Sequence, residues 1–430
     1  MVLPKFLLKA AFWLCFLTLI TISFPRTWSL YSLGIWMFLG FIYWITSYRE
    51  NIRELLSLKI LILPLIIFFI VQLINIIIRK ENIRCIESQL MFFLVPLLGF
   101  PLFRDRLFYK KNIFLFRAFI WGIFSVLVIL VLLALICLNN RYNSEHNFFE
   151  NLKINSKCFF SIDFSRFEHP SYLGVKIIWS IIIINLLLRQ SLNKLIYGLI
   201  MSFFSIIIFL LASKAGIIML TILFLWLLFS YINDKIKIVF YRYLIFLFIA
   251  IVLFISAFRI AREISRINIF INQLKSGFSQ SEVNWKNLDQ RTREWYCAIQ
   301  LIKEKPIFGH GIEKVEDRMV EEYLKNRWEE EARFRYNAHN QFLETQMTYG
   351  IPGTLSLLWM LFTPLFFRKR LMYPKLATAF VFMMTFFLIF ESMFVRQWGI
   401  MFFTLFYCIL VIPSDVEDNL PVNHTALKNY

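Results

Sequence analysis

The stretch that decides the reading is Arg335-Tyr336-Asn337-Ala338-His339-Asn340-Gln341-Phe342-Leu343-Glu344-Thr345-Gln346-Met347-Thr348-Tyr349-Gly350-Ile351-Pro352-Gly353. It begins polar and runs into apolar sequence that can enter a bilayer as a helix. A histidine and its amide neighbour stand at the polar end. A Gly-x-Pro-Gly break follows about three helical turns later. The junction is expected to carry the chemistry, and the apolar runs on either side of it to be scaffold.

Working outward, the 430 residues are 59% hydrophobic, with 50 Phe against 13 Gly. A soluble domain of this length does not need so much apolar side chain, because its helices would have no polar face for water. Runs of about 18 apolar residues recur from end to end, each long enough to cross a bilayer. Hydropathy places spans near 6–24, 28–47, 59–78, 87–103, 113–137, 170–188, 194–211, 216–232, 238–258, 350–367, 374–392 and 397–413. The expected fold is an all-α polytopic membrane protein with about twelve transmembrane helices and a large helical periplasmic loop. By segment, 1–258 holds helices one to nine, 259–349 the catalytic loop, 350–413 helices ten to twelve, and 414–430 a cytoplasmic tail. Lys5 and Lys9 before an apolar run resemble a signal sequence, but no small-x-small cleavage site follows, so a retained first span is expected.

The formal net charge of +18 does not point to nucleic acid, because much of it sits in short loops between spans. Arg49, Arg53 and Lys59, then Arg104, Arg106, Lys110 and Lys111, then Lys235 and Lys237, then Arg368, Lys369 and Arg370 all fall on one face with both termini. That face is expected to be cytoplasmic, which puts 138–169 and 259–349 in the periplasm of a Gram-negative cell. The loop Arg79-Lys80-Glu81-Asn82-Ile83-Arg84 runs against the trend. Cys137 and Cys158 fall on one side in this topology, so a disulfide is open to them, although unpaired thiols are the plainer expectation. No Cys-x-x-Cys, zinc spacing, P-loop, dinucleotide fingerprint or internal repeat is present.

Within 259–349, Asp289 is placed to cap a helix from Gln290 to about Glu304, with Arg291, Trp295, Ala298 and Ile302 on one face. Lys305-Pro306-Ile307-Phe308-Gly309-His310-Gly311 ends it. A second helix, dense in mixed charge, is expected from Glu313 to Ala332, and a solvated surface accounts for its charge.

His339, at a membrane–water boundary, has the intrinsic pKa of a general base; a capping or hydrogen-bonding histidine is the bland alternative. Arg291, Arg293, Arg333 and Arg335 in the same segment supply cations for a phosphate-bearing ligand. Charged groups at membrane depth are costly and usually functional; Lys214, Glu391 and Arg396 are such groups, with a structural ion pair as the equal alternative for each. His169, beside Glu168 and Pro170, opens span six on the outer face, where a helix start explains it equally well. Outward cations at membrane depth suit an amphipathic substrate with an anionic head, such as a polyprenyl diphosphate-linked sugar. A diphosphate leaving group needs little acid assistance, so cations and a base would suffice, with no metal and no cofactor.

These residues resemble a known family. Arg291-x-x-x-Trp295, Pro306-x-x-Gly309-x-Gly311, and His339-Asn340-x-x-Leu343-Glu344 with Gly350-Ile351-Pro352-Gly353 are similar to the motifs of the O-antigen ligase / O-antigen polymerase superfamily of membrane glycosyltransferases. Ser213-Lys214-Ala215-Gly216 looks like the family's Ser-Arg-small-small element, with lysine in place of arginine. The resemblance implies a helical membrane fold related to the GT-C glycosyltransferases, in the bacterial inner membrane with its active site facing the periplasm. It implies transfer of a glycan from undecaprenyl diphosphate to a sugar hydroxyl of lipid A-core. Carried over by motif, His339 would be the base and Arg291 the diphosphate ligand. Lys214 would keep a charge but lose the bidentate fork. Arg293, Arg335, Asn340, Arg396 and His169 are the further candidates for substrate binding. A polymerase, taking a second lipid-linked glycan as acceptor, fits the same motifs. A transporter or flippase is the rival from another class. It would use the intramembrane charges as a path and need no outer base; the lack of repeat symmetry and the bulk of 259–349 argue against it.

Overall fold

The computed structural model of the chain describes residues 5–142, 150, 154–235 and 290–412. Among them, all regular structure is helical. The first bundle comprises α1 (Lys5–Thr21), α2 (Arg26–Thr46), α3 (Tyr48–Arg79), α4 (Met91–Arg104) and α5 (Arg106–Asn140), with a 3-10 segment Ile83–Leu90 leading into α4. Then come α6 (Pro170–Ile183), which widens into a π turn over Ile184–Leu188, α7 (Lys194–Leu210) and α8 (Lys214–Lys235). The polar segment contributes α9 (Gln290–Glu304), α10 (Val315–Lys325) and α11 (Glu329–Phe334). The chain closes with α12 (Gln341–Phe366), α13 (Pro374–Phe390) and α14 (Gln397–Val411).

Six of these stretches are long and apolar enough to cross a membrane: Thr27–Thr46, Ile60–Arg79, Ile83–Arg104, Arg106–Asn140, Pro170–Ser191 and Gln341–Phe366. Four shorter apolar helices, Lys194–Leu210, Lys214–Ser230, Pro374–Phe390 and Gln397–Val411, pack with them. The expected span 238–258, Asp289 and the tail 414–430 lie outside the described residues.

Phenylalanine holds the bundle together. Phe119 and Phe406 meet edge to face at 4.7 Å, and Trp179 meets Phe380 at 4.9 Å, so α5, α6, α13 and α14 share one aromatic centre. Lipid is as apolar as these rings, so their gain lies in close packing between helices. One charge pair is buried there. Lys176 Nζ of α6 lies 2.7 Å from Glu168 Oε1 and donates to the Ile22 carbonyl at 2.9 Å. An intramembrane lysine is costly unless paired, and here it ties the start of α6 to the end of α1.

The basic loop that opposed the charge trend has a packing explanation. Arg79 donates to the carbonyls of Phe308 and Gly309. Glu81 accepts from the Ile312 amide at 3.1 Å. The loop therefore lies on the same side as the polar segment and is spent on holding it. At the other end of the bundle, Tyr373 hydroxyl donates to Asn112, near the basic residues of 104–111 and 368–370.

The polar segment has its own small core of Tyr296, Cys297, Ala298, Leu301, Met319, Tyr323 and Trp328. Helix α9 runs over the residues expected, but it presents Glu294, Cys297, Ala298 and Leu301 inward. Of the face read from the sequence, Ala298 is buried, and Arg291, Trp295 and Ile302 are partly exposed. The single helix expected over 313–332 is two, α10 and α11. Arg327 takes a left-handed φ of 59°, which turns the chain so that Trp328 packs edge-on against Tyr296 at 5.9 Å.

Helix α12 also differs from its expected span. It starts at Gln341, where Asn340 accepts from the amides of Phe342 and Leu343, and it is broken at Gly350, φ 69°. The break is where the Pro306–Gly311 loop crosses. His310 and Gly311 amides donate to the carbonyls of Met347 and Thr348 at 2.8 and 2.9 Å, and the Ile351 amide returns to Ile307 at 3.1 Å. A Cβ on Gly350 would collide with the Ile307 carbonyl, and one on Gly309 (φ 63°) with the Thr348 carbonyl. The two glycine motifs are the two halves of one backbone clasp. Cys137 and Cys158 are joined in a disulfide, against the plainer expectation of free thiols. It links the end of α5 to the turn before α6, which the sequence spacing alone did not favour.

Candidate functional site

Four helix ends converge on Glu391. This residue follows α13 in extended conformation and its carboxylate is buried, 6% exposed. His339 Nδ1 lies 2.9 Å from Glu391 Oε1. With Glu391 as the acceptor, Nδ1 is the donor of this bond, and Nε2 lies on the side of the ring away from the pair. Arg291, in the first turn of α9, places Nη2 3.8 Å from Glu391 Oε2. His169, capping α6 by accepting from the Ser171 amide, sits 4.0 Å from the same oxygen.

His339 is held in an unusual backbone state. Its φ is 44°, a region that costs a non-glycine residue energy and recurs at active sites. The Asn337 side chain stabilises it by accepting from the His339 amide at 2.9 Å. Next to it, the Ala338 amide donates to Glu344 at 3.1 Å. The ring is thereby fixed from its backbone on one side and from Glu391 on the other.

Glu294 completes the cluster. It is fully buried on α9, with Oε1 accepting from Gln290 at 2.9 Å and lying 3.9 Å from His339 Nε2. Burial pushes its pKa up to about 8, against the pull of Arg291 and the Gln290 hydrogen bond. Holding its proton to higher pH than a free glutamate, it makes a weaker claim on the Arg291 charge. Arg291 Nη1 lies 3.6 Å from Glu294 Oε2 and makes no hydrogen bond. Burial lowers the pKa of His169, against the pull of Glu391 and with help from Arg291 and Arg396. A base oriented by a carboxylate therefore stands beside a guanidinium with an unspent donor. That arrangement can take a proton from a hydroxyl and receive an anionic leaving group.

The other expected residues fall elsewhere. Arg396 is exposed, just before α14, and close enough to act electrostatically on His169. Asn340 caps α12. Arg293 pairs with Glu331 at 3.0 Å and lies over Trp328. Arg335 pairs with Glu316 and Asp317. Both arginines brace the polar segment. Lys214 opens α8 beside Ser213, which packs against Gly174 of α6. Sequence reasoning named Glu391 only as an intramembrane charge, and it passed over Glu294. The signal for Glu294 was its helical register with Cys297, Ala298 and Leu301, an acid on the apolar stripe.

Two comparisons bear on this arrangement. Residues 199–358, which include Lys214, Arg291 and His339, match the family model described as O-antigen ligase. A Haemophilus influenzae protein described as uncharacterized is 33% identical over 92 residues, 21% of this chain and 23% of that protein. The chain thus aligns with less than a quarter of that relative's length.

Proposed function

We propose, from the premise that residues 199–358 match the family model described as O-antigen ligase, that this multi-pass membrane protein transfers a glycan from undecaprenyl diphosphate to a sugar hydroxyl of lipid A-core. The observation that carries the reading is the His339–Glu391 hydrogen bond with Arg291 against the same carboxylate. His339 Nε2 takes the proton of the acceptor hydroxyl while Glu391 stabilises the imidazolium that forms. The acceptor oxygen bonds to the anomeric carbon, and the bond from that carbon to the diphosphate oxygen breaks. The electron pair leaves with the diphosphate, where Arg291 and Arg396 neutralise the charge that develops. These cations do what a divalent ion does in other transferases, so the proposed transfer is metal-independent. The periplasmic face of the inner membrane is the proposed location, because the cluster lies opposite the basic loops.

Lipopolysaccharide from a deletion strain tests the choice of acceptor. The ligase reading predicts loss of all long chains with accumulation of lipid-linked polymer. Core carrying a single repeat would make the protein a polymerase instead.

A further inference from the structure

A cleft of about 580 Å³ opens beside the cluster, between α3, the 83–90 segment, α10 and the first turns of α12. It shares a wall with the site. Tyr336 and Asn337 come from the loop that carries His339, Gln341 from the first turn of α12, and Arg396 from the segment after Glu391. Gln72 of α3 lines the cleft and is 1% exposed, yet neither atom of its amide has a protein partner. Gln89 donates its Nε2 to the Phe394 carbonyl at 2.7 Å and leaves its Oε1 without a partner. Buried amides are normally paired within the protein. Two unspent amides facing one cleft mark it as a place built for a polar guest.

The chemistry of the guest follows from what is unspent. Gln72 offers a donor and an acceptor together, and Gln89 a further acceptor. A phosphate satisfies only the donor, and a cation only the acceptors. Sugar hydroxyls, each able to donate and accept, satisfy both. Along the cleft Arg335 is neutralised by Glu316 and Asp317, and the remaining cation, Arg396, lies at the end that follows Glu391, where the diphosphate rather than the sugar would sit. Phe394 and Tyr336 add flat apolar walls suited to the faces of sugar rings.

We propose that this cleft binds an uncharged sugar chain through Gln72 and Gln89, directing one end of it towards His339. The proposal rests on the glycosyltransferase reading and extends it to a substrate-binding subsite.

Cys85 lines the cleft, and of the six cysteines it is the one neither buried nor in the disulfide. Its alkylation by a charged maleimide is therefore a reporter on the full-length protein in detergent. Two probes separate the two possible sources of the sugar: delipidated, dephosphorylated core oligosaccharide, and free O-antigen repeat oligosaccharide. At least one should slow alkylation severalfold, in the wild type and in His339→Ala alike. The protection should be lost in Gln72→Leu and in Gln89→Leu, each first shown to be monodisperse. Removing a partnerless amide relieves a burial penalty, so Gln72→Leu is expected to fold. Protection by undecaprenyl diphosphate alone, or by neither oligosaccharide, overturns the proposal. Transfer without protection removes the subsite and leaves the enzyme. Protection without transfer keeps the subsite and removes the proposed reaction.

Discussion

Glu391 is the residue on which the cluster turns, since His339, Arg291 and His169 all approach it. Glu294 shows a different use of a carboxyl. Burial raises its pKa to about 8, above the ordinary value near 4.5, so its effect on stability has a definite sign. Below about pH 4.5 it is neutral in both folded and unfolded chains. As pH rises towards about 8, the unfolded chain ionises and the folded one resists, so stability is lost across that window. Glu294→Gln cannot ionise. The variant is expected to gain melting temperature relative to wild type as pH rises from about 5 to about 8, with no further gain above. Thermal scans in detergent across this range check it, and a difference that shrank with rising pH would contradict the burial argument. This acid was legible only through its register on α9, because nothing in a single sequence shows which helix face meets another element.

At the scale of elements, the clasp between the Pro306–Gly311 loop and the break in α12 positions α9 and His339 on one frame. The start of α12 was not legible: its span was expected from 350, and the helix begins at Gln341. The glycines were legible as punctuation. Their pairing was not legible, because two loops about forty residues apart show no mutual signal along the chain. Gly350→Ala would place a Cβ at φ 69° against the Ile307 carbonyl. We expect a loss of about 1–3 kcal/mol from this glycine-only backbone conformation alone, seen as a lower melting temperature and reduced transfer together. An unchanged melting temperature would mean that the loop does not sit on the helix.

At the scale of the molecule, hydropathy found apolar helices at most of the expected spans among the described residues, because a bilayer demands long apolar runs whatever their packing. Six of them are long and apolar enough to cross a membrane, against the roughly twelve crossings expected. The Arg79–Arg84 loop ran against the charge trend, since a charge rule cannot see that Arg79 is engaged by carbonyls of the polar segment. The proposed orientation makes Glu321, half-exposed on α10, a periplasmic position. In a Cys85→Ser background, Glu321→Cys is expected to react with a membrane-impermeant reagent in intact cells with a permeabilised outer membrane. Reaction only after inner-membrane lysis would place the cluster on the wrong side for the proposed substrates.

The central claim, that His339 is the base of a glycosyl transfer, is tested most directly by single-turnover transfer and donor affinity measured on His339→Ala, shown beforehand to be monodisperse. The account predicts a rate lower by roughly 10²–10⁴-fold with donor affinity nearly intact, because a base acts mainly in the transition state. A folded His339→Ala protein that transfers at close to the wild-type rate would contradict it.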